Sequence, residues 1–70
     1  MTKQEIFYHN LRRLMKIKRV TQKELADVIG CDDSTMCRRF ERKSKISVDD
    51  ICKILSYFNI SYETMTKETF

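Results

Sequence analysis

Proline and tryptophan are missing from the sequence, and Gly30 is its single glycine. Because proline and glycine interrupt helices and mark turns, their scarcity favours helices joined by short connections. Long apolar runs are also missing, since no stretch approaches the roughly 18 apolar residues of a membrane span. The first ten residues lack the basic start and apolar centre of a signal peptide. We therefore expect a helical, cytoplasmic protein without a membrane partner.

Histidine and cysteine are too few and too scattered for a metal site. His9 is the single histidine, and Cys31, Cys37 and Cys52 fit no C-x-x-C pattern. An odd number of cysteines in this arrangement indicates reduced thiols in or beside the core. No Gly-rich phosphate loop is present, and no acid is placed to make His9 a catalytic base. We expect no enzymatic activity, no metal or cofactor, and no small-molecule ligand.

Length and charge set the scale of the protein. Folding buries only about 60% of the surface of so short a chain, so the core must be compact. Fourteen Lys and Arg against ten Asp and Glu give a formal charge of +4, which mildly favours polyanions, nucleic acid first and acidic membrane second. We predict one all-α domain over residues 1–70, a compact bundle of five short helices with a frayed tail at 67–70. We expect no additional ligand-sensing or catalytic domain.

Capping residues predict where the helices begin and end. Three pairs follow the capping-box pattern, in which Ser or Thr is followed three positions later by an acid. They mark the starts of helices one, two and four: Thr2 with Glu5, Thr21 with Glu24, and Ser47 with Asp50. Gly30 and Asn59 suit left-handed positions after helices two and four. Asp32 or Asp33 begins helix three, and Ser61 begins a short fifth helix.

Apolar residues recur at helical spacing and predict the core. In helix one, either Met15 or Ile17 completes the apolar stripe, and Val20 packs just beyond it. The other expected core residues are Ile6, Phe7, Leu11 and Leu14 in helix one, Leu25, Ala26, Val28 and Ile29 in helix two, Met36 and Phe40 in helix three, and Val48, Ile51, Ile54, Leu55 and Phe58 in helix four.

The segment TQKELADVIGCDDSTMCRRF, which starts at Thr21, predicts a helix-turn-helix over residues 21–41. It has two helices of about eight residues and a four-residue turn that begins with glycine. Ala26 is small where the second helix must cross closely, and Gly30 turns the chain without a Cβ clash. With Met36 and Phe40 on the core, a polar set faces outward at a spacing suited to the major groove of DNA. This set comprises Asp33, Ser34, Thr35, Cys37 and Arg38.

These motifs resemble the lambda-repressor-like helix-turn-helix family, which includes lambdoid phage repressors, Cro proteins and Xre-type regulators. The family pattern has a polar-Gln-x-Glu-Leu-Ala start, a glycine, a short turn and a Ser/Thr-rich recognition helix. Here the matching segments are TQKELADVIG and CDDSTMCRRF, followed by SVDDICKIL and the ending NISYETM. The resemblance covers roughly residues 7–66, with four motifs in register.

The resemblance implies roles for individual residues. In phage repressors, the glutamine that starts helix two braces a DNA phosphate and the side chain that opens the recognition helix. The matching residue is Gln22. The base-facing positions correspond to Asp33, Ser34 and Arg38, flanked by Thr35 and Cys37, and Arg38 suits a two-pronged contact to guanine. The expected phosphate contacts are Gln22, Lys23, Arg42, Lys43, Ser44 and Lys45.

Two interpretations of the acids at the start of helix three stay open. A carboxylate at Asp33 can accept a hydrogen bond from a cytosine amine or repel other bases. Alternatively, both acids only cap the helix, with Asp32 the better candidate. An acid near phosphates costs affinity, so the surrounding cations must more than offset it.

The sequence also departs from the family pattern. Many relatives pair an Arg late in helix one with a Glu late in helix three, whereas Met15 and Phe40 stand at these positions. We expect an apolar contact in place of the ion pair. A well-packed apolar pair can stabilise a fold as much as a buried ion pair does. Lys43 replaces a glycine that often ends the recognition helix, so the shape of the following loop is open.

The function that the resemblance implies is sequence-specific binding of duplex DNA. A small Cro/Xre-type repressor of phage or bacterial origin would act by occupying an operator at the nucleoid. Two copies would bind a two-fold site with half-sites about 34 Å apart, through dimer contacts of Tyr62, Met65 or Phe70. The alternative is a protein-interaction module of the same fold, such as an antitoxin or anti-repressor. Such a module would place Leu, Phe or Trp on the exposed side of helix three.

Overall fold

Five helices account for most of the chain. The computed structural model describes residues 2–42 and 45–68, without the side chain of Arg42. Within these residues the helices are α1 (Lys3–Lys18), α2 (Gln22–Ile29), α3 (Asp33–Arg42), α4 (Val48–Phe58) and α5 (Tyr62–Met65), and there is no strand. The predicted all-α bundle of five short helices is confirmed.

The capping boxes at the starts of α1 and α2 form as the sequence predicts. The Thr2 hydroxyl accepts from the Glu5 N–H at 3.2 Å, and the Glu5 carboxylate accepts from the Thr2 N–H at 3.0 Å. Thr21 and Glu24 make the same reciprocal pair at 3.1 and 3.3 Å. Each box satisfies two backbone groups that the first turn of a helix would otherwise leave unpaired.

The third predicted capping box, at the start of α4, is wrong in its second half. The Ser47 hydroxyl accepts from the Asp50 N–H at 3.2 Å, but the Asp50 carboxylate does not return to the Ser47 backbone. Asp is one methylene shorter than the Glu or Gln of a capping box. Its carboxylate instead pairs with Arg39 of α3. The start of α4 thus stabilises a contact between helices.

Among the residues that the structure describes, three helix ends adopt the left-handed conformation. Gly30 closes α2 at φ 79° and Asn59 closes α4 at φ 55°, as their residue types predict. Arg19 closes α1 at φ 57°, which the sequence did not indicate because arginine rarely adopts this conformation. The turn at Arg19 brings Val20 back against the core.

The core draws side chains from all five helices and from Ile46 just before α4. Leu11, Leu25, Met36, Ile54 and Met65 are fully buried, and each stabilises the fold by about 1.5–3 kcal/mol relative to an exposed position. The other core members are Phe7, Tyr8, Leu14, Met15, Ala26, Ile29 and Phe40, with Val20, Val28, Cys31, Ile51, Leu55, Phe58 and Ile60 packed against them.

Two expectations about the core are settled by exposure. Met15 is buried and Ile17 is 64% exposed, so Met15 completes the stripe of α1. The assignment of Val48 to the core was wrong, because it is 74% exposed. Val48 is the first residue of α4, where the helix face that meets the core begins only at Ile51.

The segment after α5 is tied to α1 by two hydrogen bonds, and the fraying expected at 67–70 stays a prediction. The buried Asn10 amide donates to the backbone oxygens of Met65 and Lys67, each at 2.8 Å.

Phe70 lies outside the described residues. Met65 is fully buried within its own chain, so its expected place in a dimer contact is also wrong. Tyr62 is 45% exposed and stays available.

The thiols occupy three different environments. Cys31 packs against the core, where burial raises the pKa of its thiol. Cys37 is half-buried on α3, but Cys52 is exposed, so the expected place in or beside the core is wrong for Cys52.

No helix of the described chain has the length and apolar content to cross a membrane.

Candidate nucleic-acid interface

Helix α3 separates a buried side from a polar side. Met36 and Phe40 lie in the core, while Asp33, Ser34 and Arg38 are exposed. For Ser34 and Arg38 this division follows from the helical repeat, because each lies two residues from Met36 and residues two apart do not share a side. The exposed side carries hydrogen-bonding groups that can meet the edges of bases.

One shallow depression collects most of the expected base-contacting residues. It is lined by Gln22 from the start of α2 and by Asp33, Ser34, Cys37 and Arg38 from α3. The depression forms because α2 and α3 pack against each other, with their N-terminal ends side by side. Five residues that the sequence singled out thus lie around one surface feature.

Thr35 is placed differently from its neighbours. It is half-buried and does not line the depression. Its N–H donates to the Asp32 carboxylate at 2.7 Å. Hydrogen bonds from the Thr35 side chain and backbone hold the pKa of Asp32 below its usual value. Thr35 and Asp32 therefore form the N-terminal cap of α3.

Asp33 has a different role from Asp32. The Gln22 side-chain amide donates to the Asp33 carboxylate at 3.3 Å. Asp33 is exposed in the first turn, where a carboxylate interacts favourably with the positive end of the helix dipole. Asp32 is thus the residue that caps the helix, and whether Asp33 contacts a base stays a prediction. The contact also joins the starts of α2 and α3, as the resemblance implied for Gln22.

An ion pair that the sequence did not indicate fixes α3 against α4. The Arg39 guanidinium lies 2.9 Å from the Asp50 carboxylate, and the two side chains are 28% and 16% exposed. Tyr8 is buried beside this pair, and burial is the main reason that the pKa of its hydroxyl is raised. Arg39 faces the protein, whereas Arg38 is exposed.

Two apolar residues, Met15 and Phe40, stand where many family members have an ion pair between helices one and three. Met15 and Phe40 belong to the same core cluster, as expected. The Phe40 ring also meets the Tyr8 ring edge to face, with centroids 5.7 Å apart. The Arg12 guanidinium also lies 5.3 Å from the Phe40 ring centroid, within the range of a cation–π contact. Aromatic contacts therefore join α1 to α3.

Glu41 adds a second acid to the exposed surface of α3, a position that the sequence pattern did not indicate. Its carboxylate accepts from the Cys37 thiol at 3.7 Å.

Lys23 and Lys45 are exposed near either end of the helix-turn-helix. The predicted phosphate contacts Lys43 and Ser44, and the side chain of Arg42, lie outside the described residues. No group of three potential ligands in the described chain could hold a metal ion.

The connected helices α2 and α3, with a left-handed glycine between them and a polar exposed side on the second, define a helix-turn-helix protein. The family model of the Cro/C1-type HTH DNA-binding domain matches residues 10–67. The chain therefore belongs to the Cro/C1-type helix-turn-helix family, and its domain is of the DNA-binding kind. Comparison with curated proteins gave no match, and comparison with solved structures gave none either.

Proposed function

We propose that this chain is a sequence-specific regulator that represses transcription by occupying an operator in duplex DNA. The exposed polar side of α3 carries this proposal, because Ser34 and Arg38 stand clear of the protein while Met36 and Phe40 hold the helix on the core. The protein would work at the nucleoid, in the cytoplasm of a bacterial or phage-infected cell.

In this proposal α3 enters the major groove and its exposed side chains contact bases. Arg38 donates two hydrogen bonds to the N7 and O6 of a guanine. Asp33 accepts from a cytosine amine, with its carboxylate oriented by Gln22. Ser34 and Cys37 line the same depression. Thr35 contributes least to base contacts because it is half-buried in the cap.

Phosphates would be bound on both sides of the groove. Gln22 and Lys23 begin α2, and Lys45 follows α3, so they flank the helix that enters the groove. We propose Arg42, Lys43 and Ser44 for the same role from their place in the sequence. Such contacts orient the protein without recognising sequence. One recognition helix contacts few base pairs, so two copies would bind a two-fold site, with Tyr62 available for their contact.

The alternative, a protein-interaction module, fits the surface less well. Its partner would meet apolar side chains on the exposed part of α3. In the described residues, the large exposed apolar side chains are Ile17, Val48, Tyr57 and Tyr62, and none of these is on α3.

A selection of bound sequences from random duplex DNA, at low and at moderate salt, tests the function. We expect a two-fold sequence to be enriched at both salt concentrations. Recovery of DNA without a shared sequence at low salt would mean that binding is only electrostatic. Recovery of nothing at low salt would refute the proposed function and favour the interaction module.

A further inference from the structure

A small groove opens where the starts of α1 and α5 meet the segment before α4. Its buried or half-buried apolar lining residues are Phe7, Ile46 and Ile51, and its exposed ones are Lys3, Lys45 and Tyr62. We call this surface the α5 groove. Its volume is about 120 Å³, whereas pockets for small molecules measure about 300–1,000 Å³. The α5 groove therefore suits a side chain of a protein partner better than a separate ligand.

Two large apolar side chains are exposed at this groove. Tyr62 lines it and is 45% exposed. Val48 is 74% exposed and precedes Ile51 by three residues, so the two are neighbours on one side of α4. Burying either side chain against a partner would stabilise a complex, because apolar area would leave water. The surface thus offers both an apolar cavity and side chains of a size to fill one.

Charges of both signs surround the α5 groove. Lys3 is exposed at the groove, and the exposed acids Asp49 and Glu63 follow Val48 and Tyr62 directly in the chain. None of these three charged residues is in an ion pair within the described part of the chain. A two-fold interface uses the same patch of both copies, so the patch must contain each group and its complement. The surface around the α5 groove meets this requirement.

The place of the α5 groove also suits two copies on one duplex. Lys45 lines the groove and is one of the proposed phosphate contacts, so the groove lies beside a part of the chain proposed to meet DNA. The Cα atoms extend 29 Å along the longest axis of the molecule, and half-sites on DNA lie about 34 Å apart. Two copies on neighbouring half-sites are therefore close enough for exposed side chains to meet.

We infer that two copies of this chain associate through their α5 grooves, with Val48 of each copy in the groove of the other. Tyr62 lies at the edge of the contact, and Lys3 of one copy faces Asp49 or Glu63 of the other. This inference rests on the proposed function, in which two copies share one operator, and it names the surface that joins them. Because the interface is two-fold, each of these contacts is made twice.

Val48→Glu is the main test of this surface. The position is the first of α4, where an acid interacts favourably with the helix dipole, so the single copy should fold as before. Tyr62→Ser removes the second exposed apolar side chain. The matched control is Tyr57→Ser, because Tyr57 is 46% exposed but lines a separate depression. Circular dichroism melting checks that each variant folds.

Two measurements follow the association. Sedimentation equilibrium of the free protein gives the dissociation constant of the dimer. Binding to a duplex with two half-sites, compared with a duplex with one, gives the cooperativity between copies on DNA. We expect Val48→Glu to weaken association by about tenfold or more, since two buried valines are lost. We expect Tyr62→Ser to weaken it as well, while Tyr57→Ser leaves it unchanged.

The outcomes separate this inference from the proposed function. Association that resists both Val48→Glu and Tyr62→Ser would overturn the inference, as would a wild-type protein that neither dimerises nor binds two half-sites cooperatively. Both results leave the proposed function intact if the wild type still binds a single half-site. A wild-type protein without affinity for any duplex would refute the proposed function, and the sedimentation measurement would still decide which surface joins the copies.

Discussion

Replacing Asn10 with alanine should destabilise the fold by removing the link between α1 and the segment after α5. The amide of this fully buried side chain donates two hydrogen bonds of 2.8 Å, to the backbone oxygens of Met65 and Lys67. Each hydrogen bond contributes about 1 kcal/mol net, and leaving a buried carbonyl unpaired costs about 1–3 kcal/mol. The Met65 carbonyl lies in the buried part of this link.

These contributions add to about 3–5 kcal/mol. The expected loss is smaller, about 2–3 kcal/mol, because the Asn10 side-chain oxygen is buried without a partner in the described chain, and its removal relieves a cost of about 1–3 kcal/mol. A domain of this size has a total free energy of unfolding of about 4–10 kcal/mol. The variant should therefore lose a large fraction of its stability, with a melting temperature lower by about 4–8 °C per kcal/mol.

Urea denaturation followed by circular dichroism measures this loss. The matched control is His9→Ala, which removes an exposed neighbour on the same helix and should change stability by less than about 0.5 kcal/mol. Asn10→Asp keeps the shape but cannot donate, so it should be at least as destabilising as Asn10→Ala at neutral pH. An Asn10→Ala variant as stable as His9→Ala would refute the role of the buried amide.

Three further predictions concern α3. Arg38→Ala should relax preference at one base position of the selected site and cost about 1–3 kcal/mol; equal weakening on every sequence, measured by competition binding, would exclude a base contact. Hydrogen bonds from Thr35 lower the pKa of Asp32 in the folded protein. The ionised Asp32 carboxylate therefore stabilises the fold above its unfolded-state pKa, and this stabilisation is lost as the pH falls through the lowered folded-state pKa. Asp32→Asn should remove this part of the acid dependence in thermal unfolding, and an unchanged profile would contradict it. Asp50→Asn should cost about 1–2 kcal/mol in urea denaturation, between the values for exposed and buried ion pairs; an Arg39→Gln, Asp50→Asn double-mutant cycle without coupling would show that the pair contributes nothing.

Local features of the fold could be predicted from the sequence because their causes are local. A capping box involves residues three apart, and a left-handed glycine acts within one turn. Thr2, Thr21 and Gly30 therefore marked helix ends correctly. The apolar spacing of Met36 and Phe40 also determined which side of α3 is buried.

Contacts between distant segments could not be predicted in this way. The Asn10 side chain reaches a carbonyl 55 positions away, and no repeat or spacing in the sequence connects the two. The start of α4 shows how such a contact changes a local expectation. Asp50 fits a capping-box position, but its carboxylate is drawn to Arg39 of a neighbouring helix. Val48 was misplaced because the helical repeat does not show at which residue a helix first meets the core.

The candidate site was predicted in part. The resemblance implied that Gln22 braces the residue that opens the recognition helix, and its hydrogen bond to Asp33 has this geometry. The place of Arg12 over Phe40 could not be derived from the family pattern, because that pattern has an ion pair at Met15 and Phe40 instead. The assignment of individual base and phosphate contacts stays a prediction.

The central claim is that the exposed side of α3 enters the groove of a specific duplex. Backbone amide resonances recorded by NMR, with the selected duplex and with a scrambled duplex of the same composition, test it directly. We predict that the differences between the two titrations concentrate at Asp33, Ser34 and Arg38, while both duplexes shift amides at the start of α2. Differences confined to α4 and α5, with the amides of α3 unchanged by either duplex, would contradict the claim.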